Sequence, residues 1–280
     1  MSVQPPNNFL PDYARPPVVE TVLGVQFDRL AKFGNAHLGA FWKTLDLREW
    51  GDVTDAPPLP PQFEYFGEAA KWGTGIRIQV GQSPRGRLQI RNAASDRMIQ
   101  VQDDRIHFNW LGTEGNPYPR YEAVRQGFDD ALTRFVGFVE GAKLGEFRPN
   151  QWEVTYLNHI PQGTVWNVPA DWGFFRPLNG VPAVAGPAAG ESFGGEWHFI
   201  IPEERGRLHV QWQHAVPSEP SDAERIVLTF TARGPLVPGA KIADIQEGLN
   251  LGRNAIVQSF ESLMSEAANH YWGLHNGASN

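Results

Sequence analysis

Hydrophobic and polar residues alternate along several stretches of the chain, the pattern of strands with one buried face. The stretches VVETVLGVQF (18–27) and WEVTYLNHI (152–160) are rich in β-branched and aromatic residues and predict two strands. Further alternation predicts hairpins over 76–91, 98–110 and 196–212 and a strand over 225–231. The pattern therefore predicts an extensive antiparallel sheet.

Helical spacing replaces alternation after each set of strands. Apolar residues recur three and four positions apart over 120–140 and 242–272, which predicts two long amphipathic helices. A shorter helix is predicted over 35–45, and another over 171–175. The predicted fold class is α+β, with the long helices on one face of the sheet.

The same order of elements occurs twice: a strand, a helical connection, several antiparallel strands and a long helix. The tetrapeptide RGRL stands at 85–88 and again at 205–208, each time between alternating runs, as a hairpin tip would. We infer a tail over 1–15 and two pseudo-repeated β-α-β(n)-α units, 16–145 and 146–280, that share one sheet. The alternative is that sheet-and-helix units resemble each other by chance.

Two segments interrupt this order. The stretch DAPPLPPQ (55–62) predicts a proline-stiffened connector. The stretch VPAVAGPAAG (181–190) consists of small and apolar residues and predicts a mobile loop or lid.

Composition excludes several classes of function. The 280 residues include no cysteine, so disulfides, a thiol nucleophile and thiolate metal ligands are excluded. The net charge of −7 argues against unspecific binding to nucleic acid. No apolar run reaches the length of a membrane helix and the first residues lack the layout of a signal peptide, so we expect a cytoplasmic protein without a membrane partner.

Motifs for known chemistry are missing from the sequence. No phosphate loop, HExxH or GxSxG motif occurs, and we predict no catalytic residue, cofactor or metal. His159, at a strand end, could be a general base, although a hydrogen bond to nearby backbone is the commoner role. His198, His209 and His214 lie on or near the second hairpin, where strand pairing could bring two of them together. A metal site would need a third ligand, which the sequence does not indicate.

The polar residues of the alternating strands form a candidate binding face. Amides, arginine and histidine predominate, and these side chains offer directional donors and acceptors. A merely solvated sheet face is the ordinary alternative. The candidate residues are Arg77, Gln79, Gln89, Arg91, Gln100, Gln102, His107, Asn109, His209, Gln211 and Gln213.

An apolar cavity between sheet and helices is a second candidate site. The chain has ten tryptophans, and aromatic residues can line a ligand pocket as well as fill a core. The candidate lining residues are Trp110, Tyr156, His159 and Trp212.

Three pieces of the sequence carry a resemblance: PPVVETVLGVQF (16–27), IQVQDDRIHFNW (99–110) followed by YPRY, and EVTYLNHI (153–160). They resemble a sporadically distributed family of bacterial proteins without an assigned activity, over most of the chain. The resemblance implies neither catalytic residues nor a cofactor. Separately, the order of elements resembles the helix-grip unit of TATA-binding-protein-like and START-like domains, an analogy of fold alone.

The sequence thus favours a non-enzymatic recognition protein that binds a protein partner through the polar face. Sporadic distribution fits a partner encoded nearby in a defence- or mobile-element-linked system. The sequence leaves open whether the protein forms a homodimer. The alternative is a small-ligand carrier or an enzyme that uses the cavity. Binding of nucleic acid is disfavoured by the acidity of the chain.

Overall fold

An antiparallel sheet of nine strands forms the centre of the molecule. The computed structural model describes residues 10–67, 86–113, 117–168, 171–180, 184–186, 188–216 and 223–275. The strands are β1 Asp12–Tyr13, β2 Val18–Phe27, β3 Asp52–Ala56, β4 Arg87–Arg91, β5 Arg97–Gln102, β6 Arg105–Leu111, β7 Pro149–Pro161, β8 Val184–Ala185, β9 Ala188–Ala189, β10 Gly194–Ile201, β11 Gly206–Ala215, β12 Arg225–Pro235 and β13 Leu274–His275. The helices are α1 Asn35–Trp42, α2 Tyr121–Gly141, α3 Ile242–Leu263 and α4 Glu266–Tyr271, with 3₁₀ turns at Trp172–Phe174, Arg176–Leu178 and Pro202–Glu204.

The strand order is β10-β11-β12-β7-β2-β6-β5-β4-β3. The two strands predicted to open each half, β2 and β7, pair antiparallel at the middle, with Leu23 opposite Val154. The helix α2 packs on β6 and β2, and α3 packs on β7, β12 and β11. The large antiparallel sheet with helices packed on it confirms the predicted α+β class. Internal duplication stays a prediction.

The two RGRL tetrapeptides occupy different places in the sheet, so their predicted equivalence is wrong. Leu88 lies in β4, the fourth strand outward in the series β2, β6, β5, β4, whereas Leu208 lies in β11, the third in the series β7, β12, β11. Because all neighbours are antiparallel, β4 and β11 run in the same direction, and a twofold axis between β2 and β7 cannot exchange them. The shared tetrapeptide therefore does not mark equivalent positions in the two halves of the sheet.

Three further expectations differ from the structure. Asp55 and Ala56, predicted to lie in a connector, belong to β3, which pairs with β4. The strand predicted over 76–80 lies outside the described residues. Within the predicted loop 181–190, β8 and β9 form a short ladder. Within the predicted tail, β1 pairs with β13 near the other end of the chain.

The core lies between the sheet and the helices. Along β4 and β6, Leu88, Ile90, Ile106, Phe108 and Trp110 are buried on this helix side, as their alternation predicts. The aromatic cluster of Phe27, Phe41 and Phe135, with ring centroids 5.4–5.5 Å apart, joins β2, α1 and α2.

Glycines bring α3 close to the sheet around Trp152. An added Cβ at Gly248 would lie 2.2 Å from Cδ1 of Trp152, and one at Gly252 would lie 2.6 Å from its Cζ3. A buried indole on β7 therefore occupies the space that two side chains of α3 would need.

Candidate functional site

The side of the sheet opposite the helices carries the predicted binding residues, and we call it the polar side. Pairing places Gln89 opposite Gln100, Gln100 opposite His107, and Gln211 opposite Thr229 on this side. Alternation places Arg91, Gln102, Asn109, His209 and Gln213 there too. Arg77 and Gln79 lie outside the described residues.

The polar side of β5 and β6 on the first half is buried, which corrects the expectation of an open face. On the neighbouring strand β4, Arg91 is exposed and Gln89 is half-buried. Gln100, Gln102, His107 and Asn109 are each at most 7% exposed. Their side chains are engaged within the chain, by a segment that crosses them and by one another. They are therefore not a free contact surface.

The segment that crosses the polar side consists of residues 57–67, which we call the strap. On β5, the side-chain oxygen of Gln102 accepts from the Leu59 N–H (2.9 Å), and its amide nitrogen donates to the Leu59 carbonyl (3.0 Å). On β2, Gln26 makes the same reciprocal pair with Gln62, both at 3.2 Å. Each glutamine therefore satisfies both backbone groups of one strap residue.

The contacts continue onto the second half of the sheet. Gln151 on β7 accepts from the Glu64 N–H (3.0 Å) and donates to the Gln62 carbonyl. Arg207 on β11 donates to the Tyr65 carbonyl (3.0 Å). The strap thus runs from β5 across the centre of the sheet to β11 and connects the two halves.

An arginine secures the middle of the strap. Arg105 on β6 is buried and donates to the Pro60 carbonyl (2.9 Å) and to the side-chain oxygen of Gln26 (2.8 Å). Its Nε lies 3.2 Å from the carboxylate of Asp104. The charge is thereby paired and hydrogen-bonded, as a buried charge requires.

The carboxylate of Glu64 fills a basic socket at the far end of the strap. It is 7% exposed and contacts Arg207, His209 (2.7 Å) and Arg233 (3.4 Å). Burial alone would raise the pKa of Glu64, but the hydrogen bond and charge of His209, with Arg233 and Arg207, outweigh it and lower that pKa. Glu64 is therefore an ionised anchor.

A second polar network lies beside the strap on the first half. Arg87 and Gln89 donate to Gln100 (2.8 and 3.2 Å), and Gln100 donates to Asn109 (2.9 Å). Asn109 donates in turn to Glu20. Burial raises the pKa of Glu20, although the hydrogen bond from Asn109 and the charge of Arg91 both act to lower it.

His107 lies at the centre of the polar side, facing Gly24 on β2. A Cβ at Gly24 would lie 2.3 Å from the imidazole, so the glycine leaves room for the ring. Burial lowers the pKa of His107 to about 4. The charge of Glu153 acts to raise this pKa but is outweighed, and the charge of Arg105 lowers it further. The ring is therefore neutral near pH 7.

The second half of the polar side stays open. Gln211 and Gln213 are exposed, and His209 is half-buried. A depression of about 550 Å³ lies beside them, lined by 192–196, 211–213, Val227 and Thr229. Gln211 donates to Glu196 at its wall (3.0 Å).

The predicted histidine cluster is partly assembled by strand pairing. The Nδ1 atoms of His198 and His209 lie 2.7 Å apart, and the other ring nitrogen of His209 contacts Glu64. His214 binds Glu224 instead (2.9 Å). Among the described residues, no group of three or more potential ligands could hold a metal ion.

A cavity of about 300 Å³ lies on the helix side, between β2, β7, β12 and the helices α2 and α3. Its lining includes Tyr13, Tyr118, Tyr121, Tyr156, Phe230 and Arg253. The hydroxyl of Tyr118 donates to the hydroxyl of Tyr156 (3.1 Å). Burial raises the pKa of both hydroxyls, so they are protonated donors near neutral pH.

Only Tyr156 of the four predicted cavity residues lines this cavity. Trp110 packs behind it against Tyr118, with ring centroids 5.1 Å apart. Trp212 belongs to a separate cluster with Trp197 (4.6 Å) and Phe175 (5.4 Å). His159 alternates onto the polar side, half-buried, because β7 directs Asn158 and Ile160 toward the helices.

Comparison of the chain with models of protein families, with curated proteins and with solved structures finds no significant match. Within the described parts of the chain, no helix combines the length and the apolar character needed to cross a membrane.

Proposed function

We propose that the protein is a non-enzymatic binding protein that recognises a partner protein on the polar side of its sheet. The observation that carries the proposal is the open depression of about 550 Å³ on the second half, formed by β10, β11 and β12. Its wall presents the exposed amides of Gln211 and Gln213 and the carboxylate of Glu196. These groups offer both donors and acceptors in fixed directions, which suits recognition of a polar protein surface.

The edge of the sheet adds to this surface. The edge strand β10 forms one wall of the depression, and its Ile200, on the polar side opposite Arg207, is 60% exposed. An apolar side chain surrounded by polar groups is the composition of a protein interface. The resemblance to a sporadically distributed bacterial family fits a partner that is encoded nearby, in a defence- or mobile-element-linked system.

The test is a titration with the partner that the intact chain retains from a lysate of its source. Gln211→Ala combined with Gln213→Ala should weaken the affinity of the purified partner at least about tenfold, since truncating two central interface residues at about 1 kcal/mol each exceeds the roughly 1.4 kcal/mol that tenfold requires. Gln126→Ala, an exposed glutamine on α2, is the matched control and should bind as the unaltered chain does. Equal affinity of the double variant would refute the proposal.

A second candidate function, binding of a small ligand, is supported by the cavity on the helix side. Its volume of about 300 Å³ reaches the lower end of ligand pockets. Arg253, stacked 4.8 Å above the ring of Tyr121, gives it a cationic group among aromatic rings. Fluorescence of 1-anilinonaphthalene-8-sulfonate tests it: saturable 1:1 binding that Val257→Trp abolishes would support this function, and unchanged binding would exclude the cavity.

A further inference from the structure

The strap carries an apolar ridge on the surface that faces away from the sheet. Pro57, Pro58, Pro60 and Pro61 are all exposed. The aromatic pair that follows, Phe63 and Tyr65, is 46% and 57% exposed, with ring centroids 6.3 Å apart. An exposed apolar patch rimmed by polar residues is typical of an interaction site.

The backbone of the strap is bound to side chains of the sheet at five residues: Leu59, Pro60, Gln62, Glu64 and Tyr65. The carbonyls of Leu59, Gln62 and Tyr65 each accept a hydrogen bond from a side chain of the sheet. Four prolines within residues 57–61 favour the polyproline II conformation, because proline fixes φ at about −65° and biases the residue before it towards the extended region. The backbone of the strap is thus bound to the sheet, while its four prolines stay exposed.

The sheet fixes the strap without covering it. Glutamines at 26, 102 and 151 bind backbone groups, and Glu64 anchors the end in its basic socket. Proline also stiffens simple connectors. A stiff connector, however, does not need two neighbouring aromatic rings that stay exposed. A polyproline segment already fixed on the sheet also loses little conformational entropy when a partner binds it.

We propose that the strap presents a polyproline II ligand to a partner protein whose groove is lined by aromatic side chains. The inference rests on the proposed function and names the chemistry of a partner bound on the polar side. Both pairs of prolines spaced by three match the PxxP pattern that aromatic grooves read. The exposed Asp55 precedes the ridge and the chain has a net charge of −7, so basic residues flank the partner's groove.

The probe is the one of three purified domains (WW, SH3 and EVH1) that binds a synthetic peptide of residues 55–67 most tightly. The intact chain should bind this probe at least as tightly as the peptide does, because the strap is already ordered. Pro57→Ala combined with Pro60→Ala should weaken binding about tenfold or more. Pro238→Ala, an exposed proline outside the strap, is the matched control and should leave it unchanged.

Three results would overturn the inference: weaker binding by the intact chain than by the peptide, unchanged binding by the double variant, or no binding of the peptide by any of the three domains. Should the double variant fail to fold, Pro58→Ala with Pro61→Ala replaces it. Gln211→Ala with Gln213→Ala should not change binding of the probe. Failure of the strap and failure of the open depression are therefore distinguishable.

Discussion

Gln102 on β5 binds Leu59 of the strap through both of its side-chain polar atoms, at 2.9 and 3.0 Å. The amide of a side chain here pairs with the amide of a backbone, as one peptide group pairs with another in a sheet. Gln26 repeats the arrangement with Gln62. The polar side of the sheet is thus a surface that holds an extended segment by its backbone.

Removing one of these glutamines should loosen the strap. Gln102→Leu deletes three hydrogen bonds, two to Leu59 and one to Asp104, and strands two backbone groups of Leu59, so we expect the free energy of unfolding to fall by about 1–3 kcal/mol. Urea denaturation measures the change. Gln211→Ala, an exposed glutamine on the same side, should stay within about 0.5 kcal/mol. Equal effects in the two variants would show that Gln102 does not hold the strap.

Glu64→Gln tests the basic socket. The variant removes the anion that Arg207, His209 and Arg233 share, and among the described residues Arg233 keeps only Glu153 (3.6 Å), so we expect a loss of about 3 kcal/mol at pH 7. The pKa of Glu64 is lowered on folding, so its stabilisation is present above the ordinary pKa of about 4.3 and is lost as the pH falls.

The difference between the two proteins should therefore shrink between pH 7 and pH 3, as measured by denaturation at each pH. Glu203→Gln, at an exposed position, should show little difference at either pH. A Glu64→Gln effect that is independent of pH would mean that the carboxylate is not the anchor.

Alternation along the strands was enough to predict the two sides of the sheet. Leu88 and Ile90 alternate with Gln89 and Arg91, and a period of two admits one arrangement once the apolar residues are buried. The same pattern could not show that Gln102 is buried. Gln102 is covered by Leu59 of the strap, which lies 43 residues away in sequence. A proline-rich composition predicts that the strap is stiff but does not predict which residues it contacts.

One signal for the strap was present in the sequence. The segment is too apolar for a simple solvated connector, since it contains Leu59, Phe63, Tyr65 and Phe66. Glu64 is the one charged residue among them. The RGRL repeat, in contrast, was misleading, because the four residues suit the start of any strand after a turn. A cavity lies in the layer between sheet and helices, but only Tyr156 of the four predicted residues lines it, since side-chain reach depends on where α3 crosses the sheet.

The buried His107 predicts a pH dependence of stability. Its pKa falls to about 4 on folding, from an ordinary value of 6.5, so the folded chain binds this proton less well than the unfolded chain. Stability from this group is full above about pH 6.5 and decreases as the pH falls towards 4. At pH 4.5 the loss amounts to about 2–3 kcal/mol.

His107→Gln cannot be protonated and should lack this dependence. The measurement is the free energy of unfolding of both proteins from pH 7 to pH 4.5, and the difference between them isolates the histidine. Parallel curves would contradict the burial of a neutral ring at this position.

The contact between α3 and Trp152 predicts opposite effects for two glycine substitutions. Gly248→Ala places a methyl group against the indole, so the loss from overpacking should exceed the gain in helix propensity by about 1–2 kcal/mol. Gly137→Ala on α2 meets no atom within 4 Å and should stabilise the protein by about 0.5–1 kcal/mol. Thermal unfolding of both variants compares them; stabilisation by both would show that α3 does not approach the sheet so closely.

The most direct measurement is amide hydrogen exchange along the strap by NMR. The N–H groups of Leu59, Gln62 and Glu64 donate to glutamines of the sheet, so they should exchange at least about a hundredfold more slowly than in an unfolded chain. In Gln102→Leu, the Leu59 amide should lose this protection first. Exchange of all three amides at the rate of an open loop, unaffected by Gln102→Leu, would contradict a strap held across the polar side of the sheet.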